Sequence, residues 1–431
     1  MSSFKYLVLG GGNASGYAAK EFVKRGVNKG ELCIITDEEV VSYERPALSK
    51  AYLFPGGPAR LPGFHTCVGM GMDRQEPAFY EEHGIEFKTG TKVTAVDVGK
   101  KSLTTEKGES FTYDKLIVAT GARPVKLTEF KVPGAELSGL NYLRDIKDAD
   151  ALVAAMEECK AKDGKVVIVG GGYIGMECAA AVAMNKLPVT MVFPEGHLMS
   201  RLLDPEVGQF YADRYKAEGV TIVTGQVATS FEGENGKVTH VNLKSGEKLP
   251  ADLVVVGVGA RANKELFEDQ LEMAAGGIKV NGKLQTSNPD VYAVGDVAAF
   301  PLKVKGGELQ RQEHVTNCRL SAFHAVSAIM APEETEDYDY FPFFYSRIFN
   351  LSWQFYGISA SKPIMFGDKE AGKIGMYWVD EGKVVGAMLE SGTPEEFAAI
   401  KAVAKAQPPA PSPEELVKQG LEFALKVAAA Q

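Results

Sequence analysis

The chain has 431 residues, a length that suits about three domains of roughly 150 residues each. Hydrophobic residues make up 45% of it and charged residues 24%, with a net charge of −9. That balance suits a soluble globular protein, and its acidity makes nucleic acid and anionic membrane surfaces poor partners. No apolar run approaches the roughly 20 residues that span a bilayer.

The chain opens on a short apolar strand, Tyr6-Leu7-Val8-Leu9, which runs into Gly10-Gly11-Gly12 and then a small-residue helix around Gly16-Tyr17-Ala18-Ala19. A second strand, Leu32-Cys33-Ile34-Ile35-Thr36, follows. Glycines at such a turn let a pyrophosphate approach backbone N–H groups at the positive end of a helix. Gly10, Gly12, Asn13, Ala14 and Ser15 form this loop. Ser15 stands where the third glycine of a G-x-G-x-x-G pattern falls, and it is small enough for close helix–strand packing. The acid expected beyond the second strand is Asp37 or Glu38. Glu38 is assigned to an adenosine ribose, with Asp37 facing solvent.

The pattern recurs 160 residues later, where Val166-Val167-Ile168-Val169 leads into Gly170-Gly171-Gly172, Tyr173, Ile174 and Gly175. After its helix and second strand, the acid is Glu195. A carboxylate there accepts ribose hydroxyls and repels a 2′-phosphate, which predicts NADH over NADPH. A solvated loop carboxylate is the plainer alternative for Glu195. One glycine turn is a weak signal, but two in strand–turn–helix context, each with a distal acid, are a strong one.

Two continuous apolar runs, Leu116–Gly121 and Leu253–Gly259, flank the second copy and read as strands covered on both faces. The expected fold is α/β, with two Rossmann-like dinucleotide-binding domains, the second inserted into the first. Residues 1–125 and 248–309 form the first domain and 126–247 the second, with a linker near Val132-Pro133-Gly134. A C-terminal α+β domain takes residues 310–431. Its short strands are rich in aromatics, and a stiff segment, Pro408 to Pro413, leads to one last helix.

Five cysteines lie far apart with no CxxC, which points to free thiols in a reducing compartment. The expectation is cytoplasmic, with the chloroplast open if a presequence lies outside this numbering. The six histidines show no HxH or HExxH spacing, so no metal is proposed.

Further motifs carry a family likeness: Ala119-Thr120-Gly121-Ala122-Arg123-Pro124, Gly259-Ala260-Arg261-Ala262-Asn263 and Val291-Tyr292-Ala293-Val294-Gly295-Asp296. With them the chain resembles the flavoprotein reductases built from two dinucleotide-binding domains. The resemblance implies FAD in the first domain and NADH in the second, with NADPH the weaker donor. It sets Ala119, Thr120, Arg123 and Gly259 beside the cofactors and brings Asp296 to the ribityl–phosphate region of FAD. Tyr43-Glu44-Arg45-Pro46-Ala47-Leu48-Ser49-Lys50 looks like the branch containing ferredoxin reductases and apoptosis-inducing factor. In that branch Arg45 lies at the cofactor, and Lys50 lies near the flavin and pairs with a helix glutamate, here Glu177. An ordinary ion pair between domains is the alternative for Lys50 and Glu177.

Four stretches are similar to the plant-type monodehydroascorbate reductases: Gly63 to Gly69, Gln312 to Arg319, Phe344 to Gly357, and the Pro-rich approach to the C-terminus. The likeness implies a hydride taken from NADH and two single electrons passed to a small anion, the monodehydroascorbate radical. It assigns Arg319 to grip that anion, Tyr345 to contact it, and Glu313, His314 and Val315 to the cofactor side. On the residues alone, Arg319 reads as a surface helix charge and Tyr345 as a core aromatic; the likeness reverses both. The helix after Arg319, Leu320 to Ala325, is less charged than the family pattern. Cys67 lies in the family insertion, as an exposed thiol or as a buried inert one. A monomer is expected, with a weak dimer the alternative. Two rival functions remain at this level: a ferredoxin or rubredoxin reductase, and an NADH-responsive binding flavoprotein.

Overall fold

In the first strand, Ser2–Leu9, every residue from Tyr6 to Leu9 is buried. It pairs in parallel with Leu32–Ile35 on one side and Ser110–Val118 on the other, with Leu9 opposite Ile35 and Val118. A stretch covered on both faces needs apolar residues at every position, and Tyr6 to Leu9 supply them, while Ser2, Ser3 and Lys5 before them are exposed. The computed structural model that shows this describes residues 2–360 and 362–430.

The chain forms two units. The first comprises residues 1–47, 59–123 and 260–340. Its main sheet has Glu86–Lys88, Leu32–Ile35, Ser2–Leu9 and Ser110–Val118 in order, with Val291–Ala293 also paired in parallel to Ser110–Val118. Helix Asn13–Lys24 packs against helix Val315–Met330, with the Tyr17 and Phe323 rings edge-on at 5.5 Å.

The second unit comprises residues 48–58, 124–259 and 341–431. Its parallel sheet runs Thr221–Thr224, Val189–Phe193, Val166–Val169, Leu253–Val256, Leu140–Asn141. Its other large sheet is antiparallel, in the order Phe343–Ile348, Leu351–Gly357, Lys383–Glu390, Lys373–Asp380, Ile364–Asp368. Helices Pro394–Ala406, Pro413–Gln419 and Leu421–Ala429 share a core with it through Tyr377, Leu389, Ile400, Leu416 and Phe423.

The two units divide the chain elsewhere than the three expected domains do, with residues 48–58 and 341–431 counted with 124–259. Leu253–Val256 ladders onto Val166–Val169, so the return to the first unit comes at 260 rather than 248. Residues 310–340 lie in the first unit, because Ala322, Ala325 and Val326 bury their side chains in its core. The last helix is two helices, broken at Gly420, whose φ of +52° is a left-handed conformation that glycine adopts without strain.

Candidate functional site

Gly10 and Gly170 end equivalent strands and do equivalent work. Both sit at positive φ, +113° and +127°. A Cβ on Gly10 would lie 2.3 Å from the Ala119 carbonyl oxygen, and one on Gly170 would lie 2.2 Å from that of Gly257. Each glycine thus lets its turn close against a neighbouring strand end. At the third position, a Cβ on Gly175 would lie 2.1 Å from the Gly170 oxygen. Ser15 holds that place in the first turn, and its hydroxyl donates to the Gly10 carbonyl at 2.5 Å.

The middle glycines face open space. Nothing lies within 4 Å of a Cβ built on Gly172, and only the Arg45 guanidinium lies that close at Gly12. Helices Asn13–Lys24 and Tyr173–Met184 start at these two glycines with no side-chain cap and no acid in the first turn. The first N–H groups of each helix are therefore left for an anion to occupy. Both turns fit the pyrophosphate of a dinucleotide on these grounds.

The surrounding residues sort by partner. Glu38 accepts the Tyr43 hydroxyl at 2.6 Å and is paired with Arg45, while Asp37 is exposed. Asn13 and Ala14 are buried, and the Asn13 side-chain oxygen accepts the Arg45 N–H at 3.1 Å. Thr120 and Asn263 exchange side-chain-to-backbone hydrogen bonds of 2.7 and 2.9 Å. Arg123 meets Glu265 at 3.5 Å on the surface. Asp296 lies in the turn Gly295–Val297, where its carboxylate accepts the Cys318 thiol at 3.1 Å. Arg311 ties the Asp296 carbonyl (2.9 Å) to the Glu313 carboxylate (2.6 Å). His314 meets the Tyr340 hydroxyl at 3.0 Å, and burial pushes its imidazole down to about 4. Val315 begins the following helix. In the second unit, Tyr173 and Ile174 are exposed, Glu195 is half-buried beyond strand Val189–Phe193, and nothing crowds Gly259.

Lys50 and Glu177 come together as the family likeness implies. The Lys50 ammonium donates to the 4%-exposed Glu177 carboxylate at 2.8 Å. Ser346 donates to the other oxygen at 2.7 Å, and Ser49 donates as well. A buried carboxylate is tolerable because it is paired and hydrogen-bonded at both oxygens. Tyr345, beside Ser346 in sequence, has its ring centroid 5.9 Å from the same ammonium.

Glu44 was not among the sequence-level candidates, although it lies inside the quoted Tyr43–Lys50 motif. It is buried and accepts from the Tyr17 hydroxyl (2.5 Å), the Gly69 N–H (3.1 Å), the Asn13 amide and the Arg319 guanidinium (2.8 Å). Arg319 is itself buried and donates to the Gly69 carbonyl at 3.0 Å. The guanidinium is therefore no exposed helix charge. Burial, followed by the charge of Glu44, raises the Tyr17 phenol well above its usual range.

Residues 4–322 match the family described as pyridine nucleotide-disulphide oxidoreductase, and residues 341–424 match the monodehydroascorbate reductase 3-like C-terminal domain. The chain is 53% identical to the peroxisomal monodehydroascorbate reductase 2 of Oryza sativa subsp. japonica, covering 98% of this chain and 90% of that one. It is also 53% identical to the seedling isozyme of monodehydroascorbate reductase from Cucumis sativus, over 99% of both chains. The chain belongs to the monodehydroascorbate reductase family.

Members of this family are flavoenzymes, and FAD and a nicotinamide nucleotide are this chain's cofactors. Among solved structures, putidaredoxin reductase in its complex with putidaredoxin matches with a TM-score of 0.88 at 27% identity, covering 100% of both chains. A ferredoxin reductase from Rhodopseudomonas palustris matches with a TM-score of 0.85 at 28% identity, over 98% of this chain and 100% of that one. The family insertion buries Cys67 completely, and burial pushes its thiol up to about 12. Of the two readings for Cys67, the inert thiol is the one this geometry supports. No helix among the described residues is long and apolar enough to cross a membrane.

Proposed function

We propose that the protein reduces the monodehydroascorbate radical to ascorbate with electrons from NADH, NADPH being the weaker donor. The observation that carries this reading is the 53% identity over nearly full length to reductases of that name, joined by the C-terminal match over residues 341–424. One NADH and one proton reduce two radical anions, giving NAD and two ascorbate anions. Bound FAD supplies the change from a two-electron donor to a one-electron acceptor.

The chain's own residues bind and orient. The turns at Gly12 and Gly172 receive the two pyrophosphates, with Glu38 and Glu195 at the adenosine riboses. Asp296, Glu313, His314 and Val315 line the flavin side, where the neutral imidazole of His314 adds no charge. Arg319 binds the radical anion and Tyr345 contacts it. A charge-assisted hydrogen bond from a guanidinium contributes about 1.5–3 kcal/mol, roughly one to two decades in affinity. We assign the protein to the cytosol as a monomer; a cytosolic rice relative is 52% identical, while others are peroxisomal.

The test is NADH oxidation with and without ascorbate oxidase generating the radical. The rate should rise steeply with the radical and collapse without it. The likeness to ferredoxin reductases, at 27–28% identity, favours a second reading in which an electron-transfer protein is the acceptor. The net charge of −9 disfavours an acidic ferredoxin. Faster stopped-flow reoxidation by ferredoxin than by the radical would select that second reading.

A further inference from the structure

The environment of Arg319 explains a glycine that no turn requires. A Cβ on Gly69 would lie 2.0 Å from an Arg319 Nη atom and 2.6 Å from a Glu44 carboxylate oxygen. The Gly69 backbone also bonds to both partners: its N–H donates to Glu44 at 3.1 Å, and its carbonyl accepts from Arg319 at 3.0 Å. Glu44 is held in turn by Tyr17 at 2.5 Å and by Asn13 in the first turn of the helix that follows Gly12. The guanidinium of Arg319 lies over the Tyr17 ring, with 5.5 Å between Cζ and the centroid.

We infer that Glu44 and the backbone of Gly69 are positioning residues that set the aim of the Arg319 guanidinium, and so the specificity of the acceptor site. The inference rests on Arg319 being the group that binds the anionic acceptor. Two terminal nitrogens of one guanidinium are engaged from different directions, Nη1 by the Gly69 carbonyl and Nη2 by Glu44. A planar donor fork held at both ends keeps its orientation, which a long free side chain does not. Asn13 links this aim to the loop that receives the FAD pyrophosphate, so cofactor site and acceptor-binding cation share one hydrogen-bonded frame.

Gly69→Ala is the informative variant. The added methyl meets the ends of two side chains, the Arg319 guanidinium and the Glu44 carboxylate, and no backbone, so it displaces the held pair without changing any charge. Glu44→Gln removes the charge and turns one acceptor into a donor facing donors. Both are compared with Arg319→Ala and with the Glu44→Gln/Arg319→Ala double variant. The readouts are KM and kcat for radical generated by ascorbate oxidase, the rate of flavin bleaching by NADH, FAD absorbance per chain and melting temperature.

Arg319→Ala should raise the KM for the radical about tenfold or more. Gly69→Ala and Glu44→Gln should each raise it severalfold, with NADH bleaching and FAD content within about twofold of the parent. The double variant should be no worse than Arg319→Ala alone, since residues acting as one unit are non-additive. A parental KM in Gly69→Ala, with a raised KM in Arg319→Ala, overturns the positioning role. A parental KM in Arg319→Ala overturns instead the assignment of Arg319 as the anion-binding group. If Glu44→Gln loses FAD or fails to fold, Gly69→Ala decides the matter.

Discussion

The half-buried Lys50 ammonium and the buried Glu177 carboxylate form a pair at 2.8 Å although 127 residues separate them in sequence. Removing the cation leaves the carboxylate 4% exposed with only serine donors. Lys50→Met should therefore destabilise the protein by about 3 kcal/mol, the low end for breaking a buried pair, because Ser49 and Ser346 keep donating. A urea midpoint equal to the parent's would show that the pair contributes nothing.

The open space over Gly172 separates folding from binding. No atom lies within 4 Å of a Cβ there, so Gly172→Ala should fold with parental melting temperature and full FAD content. The methyl would stand where a pyrophosphate approaches, and the KM for NADH should rise by about tenfold or more, as for the loss of one good phosphate contact. Gly170→Ala should instead fail to fold its nucleotide unit, since its Cβ would lie 2.2 Å from the Gly257 oxygen. Identical behaviour of the two variants in melting and in NADH titration would refute the distinction.

Glu195 follows strand Val189–Phe193, and the proposal sets its carboxylate at the ribose of the nicotinamide donor. Glu195→Ala and Glu195→Arg should narrow the preference for NADH over NADPH, with arginine the larger effect because it attracts the 2′-phosphate. The ratio of kcat/KM for the two donors checks this, and an unchanged ratio would remove Glu195 from donor selection.

His314 carries the pH dependence that can be stated with a sign. Its imidazole falls from an ordinary value of 6.5 to about 4 on burial, so the unfolded chain binds a proton that the folded chain refuses. The stability this group supports is complete above 6.5 and is lost as pH drops from 6.5 towards 4. His314→Gln should flatten that part of a plot of urea midpoint against pH. A slope identical to the parent's across this window would assign it to other groups.

The sequence by itself determined both glycine turns and the strand–turn–helix context of each, and it put Glu38 and Glu195 forward as the distal acids. These are legible because each depends on residues a few positions apart: strand period, turn glycines and helix start all act within one short window. The Lys50–Glu177 pair was reachable only through family likeness, since neither residue's surroundings announce the other. Only the tertiary structure decided that Leu253–Val256 belongs to the second unit's sheet, because an apolar strand pairs equally well with any apolar neighbour until the chain packs. It alone moved helix Val315–Met330 into the first unit and broke the last helix at Gly420. It alone gathered Glu44, Gly69, Tyr17 and Arg319, with Glu44 and Arg319 lying 275 residues apart. A buried charge is stable only beside its partners, and which residues become partners is settled by folding rather than by spacing along the chain.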